Sequence, residues 1–318
     1  MQFDRTHIEI RNRSENELLD IALHVIRRFP LQILLTFALV AVPLLLLNNW
    51  ILGHILTLDY NLAIQSRQTI VETTYTSSDI SFGTFIFLQI LLIITEAPLA
   101  SILSTVMLSK LIFDESPTIG SIIQSARLGL GPIIKSCLFK RGILIMIGLM
   151  MLMMIPDSLT RGLVITSMIL FFFIILLVRA ARPFVLEIIL LEHPGKSDAK
   201  DLTLSQRSRM LHTTVGGNVF ARSMQIMIVS SILALCIHGF LTFLSVSLFT
   251  ESGTLEHTEM TARWIFPTAC WLAVLYASVV RFLNYLDTRI MLEGWEAELK
   301  IRSEAYKLEQ RQQLSTDW

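Results

Sequence analysis

The sequence is short of charge. Only 16% of its residues are Asp, Glu, Lys or Arg, against about a quarter in soluble globular chains. The 26 basic and 26 acidic side chains cancel, which excludes the basic excess of a nucleic-acid binder. Cysteine is scarce too. Cys137, Cys236 and Cys270 lie far apart, in or beside apolar runs, with no CxxC. That excludes a disulfide framework, and the three read as small packing residues. Compact catalytic signatures are missing: no GxxxxGK[ST], no GxGxxG opening a helix, no GxSxG elbow. The histidines His7, His24, His54, His193, His212, His238 and His257 never fall at HExxH or another metal-ligand spacing. No catalytic residue, metal site or cofactor is therefore expected, and nucleic acid is not an expected partner.

What the sequence has in abundance is apolar length. Hydrophobic residues make up 53% of the chain and gather into runs of about 17 or more, the length that spans hydrocarbon. The runs predict an all-α, polytopic membrane helix bundle with spans at about 31–52, 82–111, 142–158, 162–179, 223–248 and 264–283. Each is apolar all round, as a lipid-embedded or deeply buried helix must be. Pro43 falls inside the first span and Pro98 inside the second. Residues 1–30 form an N-terminal segment, 31–283 the membrane domain, and 284–318 a C-terminal helix and tail. The mixed charges Asp4, Glu9, Glu15, Glu17 and Asp20 precede the first span, unlike a secretory signal.

Basic residues set an orientation. Only Arg67, Arg161 and Arg263 of the 26 lysines and arginines fall in alternate connections; the other 23 lie on the opposite side. By the positive-inside rule both termini are cytoplasmic. The interval from Arg179 to Arg222 is the longest basic segment. Trp50 and Trp264 fall at the outer boundaries, where amphipathic rings favour the interface.

Three stretches with helical patterning precede pairs of spans: Glu15–Arg28, Thr118–Leu138 and Thr203–Phe220. All three face the cytoplasm, as parallel repeats would. In the first, Leu18, Leu19, Ile21, Ala22, Val25 and Ile26 fall at helical spacing. It reads either as a helix lying on the inner membrane face or as a cap packed on the bundle.

Two constellations carry candidate function. Glu96 sits near the middle of the second span, where a carboxylate is costly unless neutral or paired. Pro98 follows, where a helix can open its backbone. The pair reads as an ion, proton or polar-substrate site, or as hydrogen-bonded glue between helices, and the small neighbours Thr95, Ala97, Ala100, Ser101 and Ser104 suit close packing. His238, in the middle of the fifth span, is its natural candidate partner. The second constellation follows the last span. Arg281, Tyr285, Arg289 and Glu293 are four apart and share a helix face, with Asp287 between them. This is a candidate cytoplasmic interaction motif, with an i,i+4 pair available between Arg289 and Glu293. The methionines Met146, Met150, Met151, Met153 and Met154 read as filler.

Leu190-Leu191-Glu192, Gly195, Leu204, Ser208 and Leu211, ahead of the fifth span, resemble a pattern of multi-span bacterial membrane domains similar to those attached to glycerophosphoryl diester phosphodiesterases. Tyr285-Leu-Asp287-Thr-Arg289 with Glu293-Gly294-Trp295-Glu296, and the opening Ile8 to Leu19, resemble uncharacterised bacterial integral membrane proteins of the same broad type. The resemblance implies a six-span protein of the bacterial inner membrane with no soluble catalytic domain. The expected function is that of a non-enzymatic scaffold or accessory component of an envelope complex. The alternative is a transporter or lipid-handling protein with Glu96 in an intramembrane polar site. Membrane lipids are expected partners, with a protein partner in the membrane or cytoplasm; the oligomeric state is not encoded in any motif.

Overall fold

Four stretches form helices long and apolar enough to cross a membrane: Pro30–Leu52, Phe85–Ile112, Gly216–Leu248 and Thr261–Leu292. The structure is a computed structural model. It describes residues 15–69, 78–113, 118–135, 166, 170, 173–177, 180, 182–192, 204–213, 216–248 and 260–293. Among these there is no strand. The expected span at 142–158 lies outside the described residues. Of the one at 162–179, only positions 166, 170 and 173–177 are described, all helical.

Helix α1 is Glu15–Arg28 and α2 is Pro30–Thr69. The chain turns at Phe29 without losing its ladder, since Phe29 N donates to the Val25 carbonyl and Ile33 N to that of Phe29. Proline at the first position of α2 suits a helix start. Leu18, Ala22 and Val25 of α1, spaced four and three apart, are buried. They pack against α2 and the last long helix, whose Tyr276 hydroxyl donates to the Leu19 carbonyl at 3.5 Å. Of the two readings of this stretch, the structure shows the helix docked on the bundle. Helix α2 continues 17 residues beyond Leu52, where a connection was expected. Between Leu44 and Thr69 there is no proline, and the lone Gly53 does not stop the helix.

Helix α3 is Ser78–Phe113 and lies along α2. Ala97, Ala100, Ser101, Ser104 and Thr105 are buried on it. Small residues let helix backbones approach where lipid supplies no hydrophobic drive to associate. Helix α4 is Ile119–Ile133. It packs on α3 and on a short segment made of α5, Val185–Glu187, and the π-turn Ile188–Glu192. Gly129 permits that approach, because a Cβ there would stand 2.8 Å from Leu190 Cδ2. Helix α6 is Leu204–Thr213 and α7 is Gly216–Leu248. Gly216 and Gly217 open α7 rather than forming a separate turn. A π-turn, Thr261–Ile265, leads into α8, Phe266–Glu293.

Helix α8 is the spine. It packs against α7, α3 and α1, and touches α2 and α6. The main core joins Ile33, Phe37 and Ala41 to Trp271, Leu275 and Val279, with the Phe37 and Trp271 rings edge to face at 6.1 Å. Helix α7 is different: Ile228, Ile232, Leu235, Phe240 and Phe243 are exposed. In a membrane such a face meets acyl chains. Helices α1, α4 and α6 occupy the three positions of the suspected repeat but lean on different neighbours.

Candidate functional site

The intramembrane carboxylate is tied down by α2. Asn48 Nδ2 donates to Glu96 Oε2 at 2.8 Å, and Asn48 is fully buried. Glu96 is half-buried and faces α2. The expected pairing with His238 does not form. His238 is on α7, which packs against α8 and has no substantial packing against α3. Its ring instead stands edge-on to Phe266 at 5.5 Å. The glue reading of Glu96 has its hydrogen bond, and the donor, Asn48, stands near the far end of the first expected span. Asn48→Leu removes that donor and is expected to destabilise the protein by about 1–3 kcal/mol. Glu96→Gln keeps an acceptor and is expected to stay within about 1 kcal/mol of the parent. Thermal unfolding in detergent checks both, and equal losses in the two variants would overturn the assignment.

The second constellation lies inward. Beyond its apolar half, α8 presents Arg281, Asn284, Tyr285, Asp287 and Arg289 to four other elements. Arg281 Nε donates to Glu187 Oε1 at 2.5 Å, and its Nη2 to Ser101 Oγ on α3 at 3.1 Å. One turn on, the Tyr285 hydroxyl donates to Glu192 Oε1 at 2.6 Å. Arg207 of α6 grips the same carboxylate through Nε at 2.5 Å, and Arg289 Nε stands 3.7 Å from it. The Arg289 guanidinium also lies 5.9 Å from the centre of the Tyr285 ring. On the neighbouring face, Arg222 Nη1 at the start of α7 donates to Asp287 Oδ2 at 2.6 Å and Asn284 Oδ1 at 3.2 Å.

The result is a charged layer across one end of the bundle. Its members are hidden: Glu187 and Tyr285 are 0% exposed and Asp287 3%. Such charges persist only when paired, because ions removed from water lose several kcal/mol of hydration each. Arg281, Tyr285, Asp287 and Arg289 are thus brought together, as the helical spacing predicts, but as internal partners. Glu293 ends α8, and its side chain lies outside the described residues, as does its pairing with Arg289. Sequence reasoning missed Glu187, Asn284 and Arg222. A lone glutamate within Val185-Leu186-Glu187-Ile188-Ile189 was the available signal, of the same kind that drew attention to Glu96. The layer also joins Leu190–Glu192 to Tyr285–Arg289.

Against the layer ends a cavity of about 260 Å3. Helices α3 and α7 each lie on α8 with no substantial packing between them, and the space separating them is the cavity. Its polar end holds Ser101, Ser223, Ser278 and Arg281; the rest is mostly apolar, including Ile90, Ile94, Ile226, Val274 and Ala277. Glu96 is not part of the lining, and among the described residues Arg281 is the only ionised side chain in it. Among the described residues no three His, Cys, Asp or Glu side chains are grouped to hold a metal ion. Compared with protein-family models, curated proteins and solved structures, the chain has no significant match.

Proposed function

We propose that this chain is a non-enzymatic, lipid-handling integral membrane protein that holds an amphiphile in the cleft between α3, α7 and α8. The observation that carries this reading is the cleft itself, charged at one end and mostly apolar along the rest, where Thr95, Ser230 and Ser231 are the hydroxyls. A soluble substrate has no use for such a wall, whereas a lipid matches both ends of it. We read the molecule as a six-span protein of the bacterial inner membrane with both termini in the cytoplasm, from the distribution of lysine and arginine. That orientation places the charged layer at the cytoplasmic interface, where Arg and Glu are tolerated. The scaffold reading takes Arg281, Tyr285, Asp287, Arg289 and Glu293 as a cytoplasmic interaction motif; that Tyr285 and Asp287 are buried against internal partners favours the lipid reading over it. In the lipid reading, Glu96 serves packing with Asn48, and Arg281 takes its place as the polar end of the site.

Ser230 lines the cleft from α7 without bonding to another helix; its hydroxyl donates to the carbonyls of Ile226 and Met227 in its own helix. Ser230→Trp fills the cleft. It is expected to lose most of the lipid that copurifies stoichiometrically with the parent, with its helical content retained, as read by native mass spectrometry and circular dichroism. Unaltered lipid content in this variant would overturn the reading.

A further inference from the structure

The dimensions and charge of the cleft select among amphiphiles. On α3 the lining runs from Ile90 to Ser101, on α7 from Ser223 to Ala234, and on α8 from Cys270 to Arg281. Each interval is eleven residues, about 16 Å at the α-helical rise, which is close to half of the roughly 30 Å hydrocarbon core. The three walls are in register: Ser101 bonds to Arg281, and Arg222, beside Ser223, bonds to Asp287. All three polar ends lie at the same level, so the cleft extends through one leaflet's depth from the charged layer toward the bilayer centre. Its volume of about 260 Å3 is at the low end for small-molecule sites, room for one acyl chain rather than two.

The polar end is a donor site. A guanidinium carries five N–H groups. Arg281 gives one from Nε to Glu187 and one from Nη2 to Ser101; the other three are free to reach a ligand. Among the described residues the cleft's lining contains no carboxylate; Glu187 is outside it. The serines 101, 223 and 278 add hydroxyls beside it. Spare N–H donors on a cation beneath an acyl-sized slot fit an anionic oxygen headgroup.

From the proposed lipid-binding role of this cleft, on which the inference rests, we infer that its ligand is a single-chain lipid with an anionic oxygen headgroup, a carboxylate or a phosphate monoester, held by Arg281. Glu187 competes with that headgroup for the same guanidinium. Neutralising Glu187 therefore strengthens anion binding, although it removes an ion pair from the fold. A purely structural Arg281–Glu187 pair gives no such gain.

The test uses the purified full-length protein in detergent with three probes: palmitate, palmitoyl lysophosphatidate and palmityl alcohol. The parent is expected to bind both anionic probes at least tenfold more tightly than the alcohol, the gain expected of charge-assisted hydrogen bonds. Glu187→Gln should raise anionic affinity several-fold, and palmitate should lift its unfolding temperature more than the parent's. The double variant Glu187→Gln/Arg281→Gln, which keeps hydrogen-bonding side chains and removes both charges, should bind all three probes equally. A preference for palmitate over lysophosphatidate identifies a fatty acid as the source, and the reverse a lysolipid; either supports the inference. Equal binding of alcohol and anions by the parent, abolished by Ser230→Trp, would overturn the headgroup assignment and leave the cleft. Binding of all three probes untouched by Ser230→Trp would overturn both.

Discussion

Arg281→Leu is expected to destabilise the protein by about 3–5 kcal/mol, because it strands the Glu187 carboxylate without its cation. Glu187 has no exposed surface from which water could compensate. Its Oε1 is held by Arg281 alone among the described residues, and Oε2 has no partner among them. Glu187→Leu strands the guanidinium instead and should cost somewhat less, since the Arg281 side chain is 16% exposed. The double variant Glu187→Leu/Arg281→Leu should recover much of the loss, as replacing both members of a buried pair by apolar groups is often nearly neutral. Urea or thermal unfolding in a fixed detergent measures all three. Additive losses would show that the two side chains act independently and would remove the pair from the account of stability.

Tyr285 supplies the second large effect. It is the largest fully buried side chain among the described residues. Its ring meets Phe184 edge to face at 5.9 Å, in a small core shared with Ile188, Leu211 and Val219. Tyr285→Ala removes the ring that joins α5, α6 and α7 to α8 and is expected to cost about 3–5 kcal/mol. Tyr285→Phe keeps the ring and loses the donor to Glu192. It should cost only about 1 kcal/mol, because Arg207 still satisfies that carboxylate. Limited proteolysis between α5 and α7 gives an independent readout. Faster cleavage is expected in the alanine variant and not in the phenylalanine one. Equal cleavage in both would mean that the hydroxyl, not the ring, closes this end.

The apolar stretches of α2, α3, α7 and α8 were readable in the sequence because the bilayer leaves little choice: an uninterrupted apolar run must be helical. The extension of α2 to Thr69 was not, since His54, Asp59, Asn61 and Gln65 give it the composition of a connection. Only the missing proline hinted otherwise. Glu96 was conspicuous as a carboxylate in hydrocarbon, but its partner depended on how α2 and α3 align, and composition carries no register. The same limit applies to the charged layer. Four-residue spacing put Arg281, Tyr285 and Arg289 on one face, yet charges following an apolar run look solvated. Their internal placing follows from Glu187 and Glu192, more than ninety residues back along the chain. The cleft was not readable at all, because it is a gap between two helices that share a third.

The pairing across the charged layer also fixes an order of events during biosynthesis. Glu187 leaves the ribosome 94 residues before Arg281, and Arg222 leaves it 65 residues before Asp287. At about 5–20 residues per second, these charges wait roughly 3–20 seconds for their partners. Until α8 arrives, Glu187 lacks Arg281 and Arg222 lacks Asp287, while Glu192 and Arg207 are already able to pair with each other. The nascent protein therefore stays ajar at that end, with the Glu187 carboxylate left to water or headgroups. Arrival of α8 locks five elements in a single step. Integrity of this one late helix thus decides whether the whole charged end matures or is handed to membrane proteases.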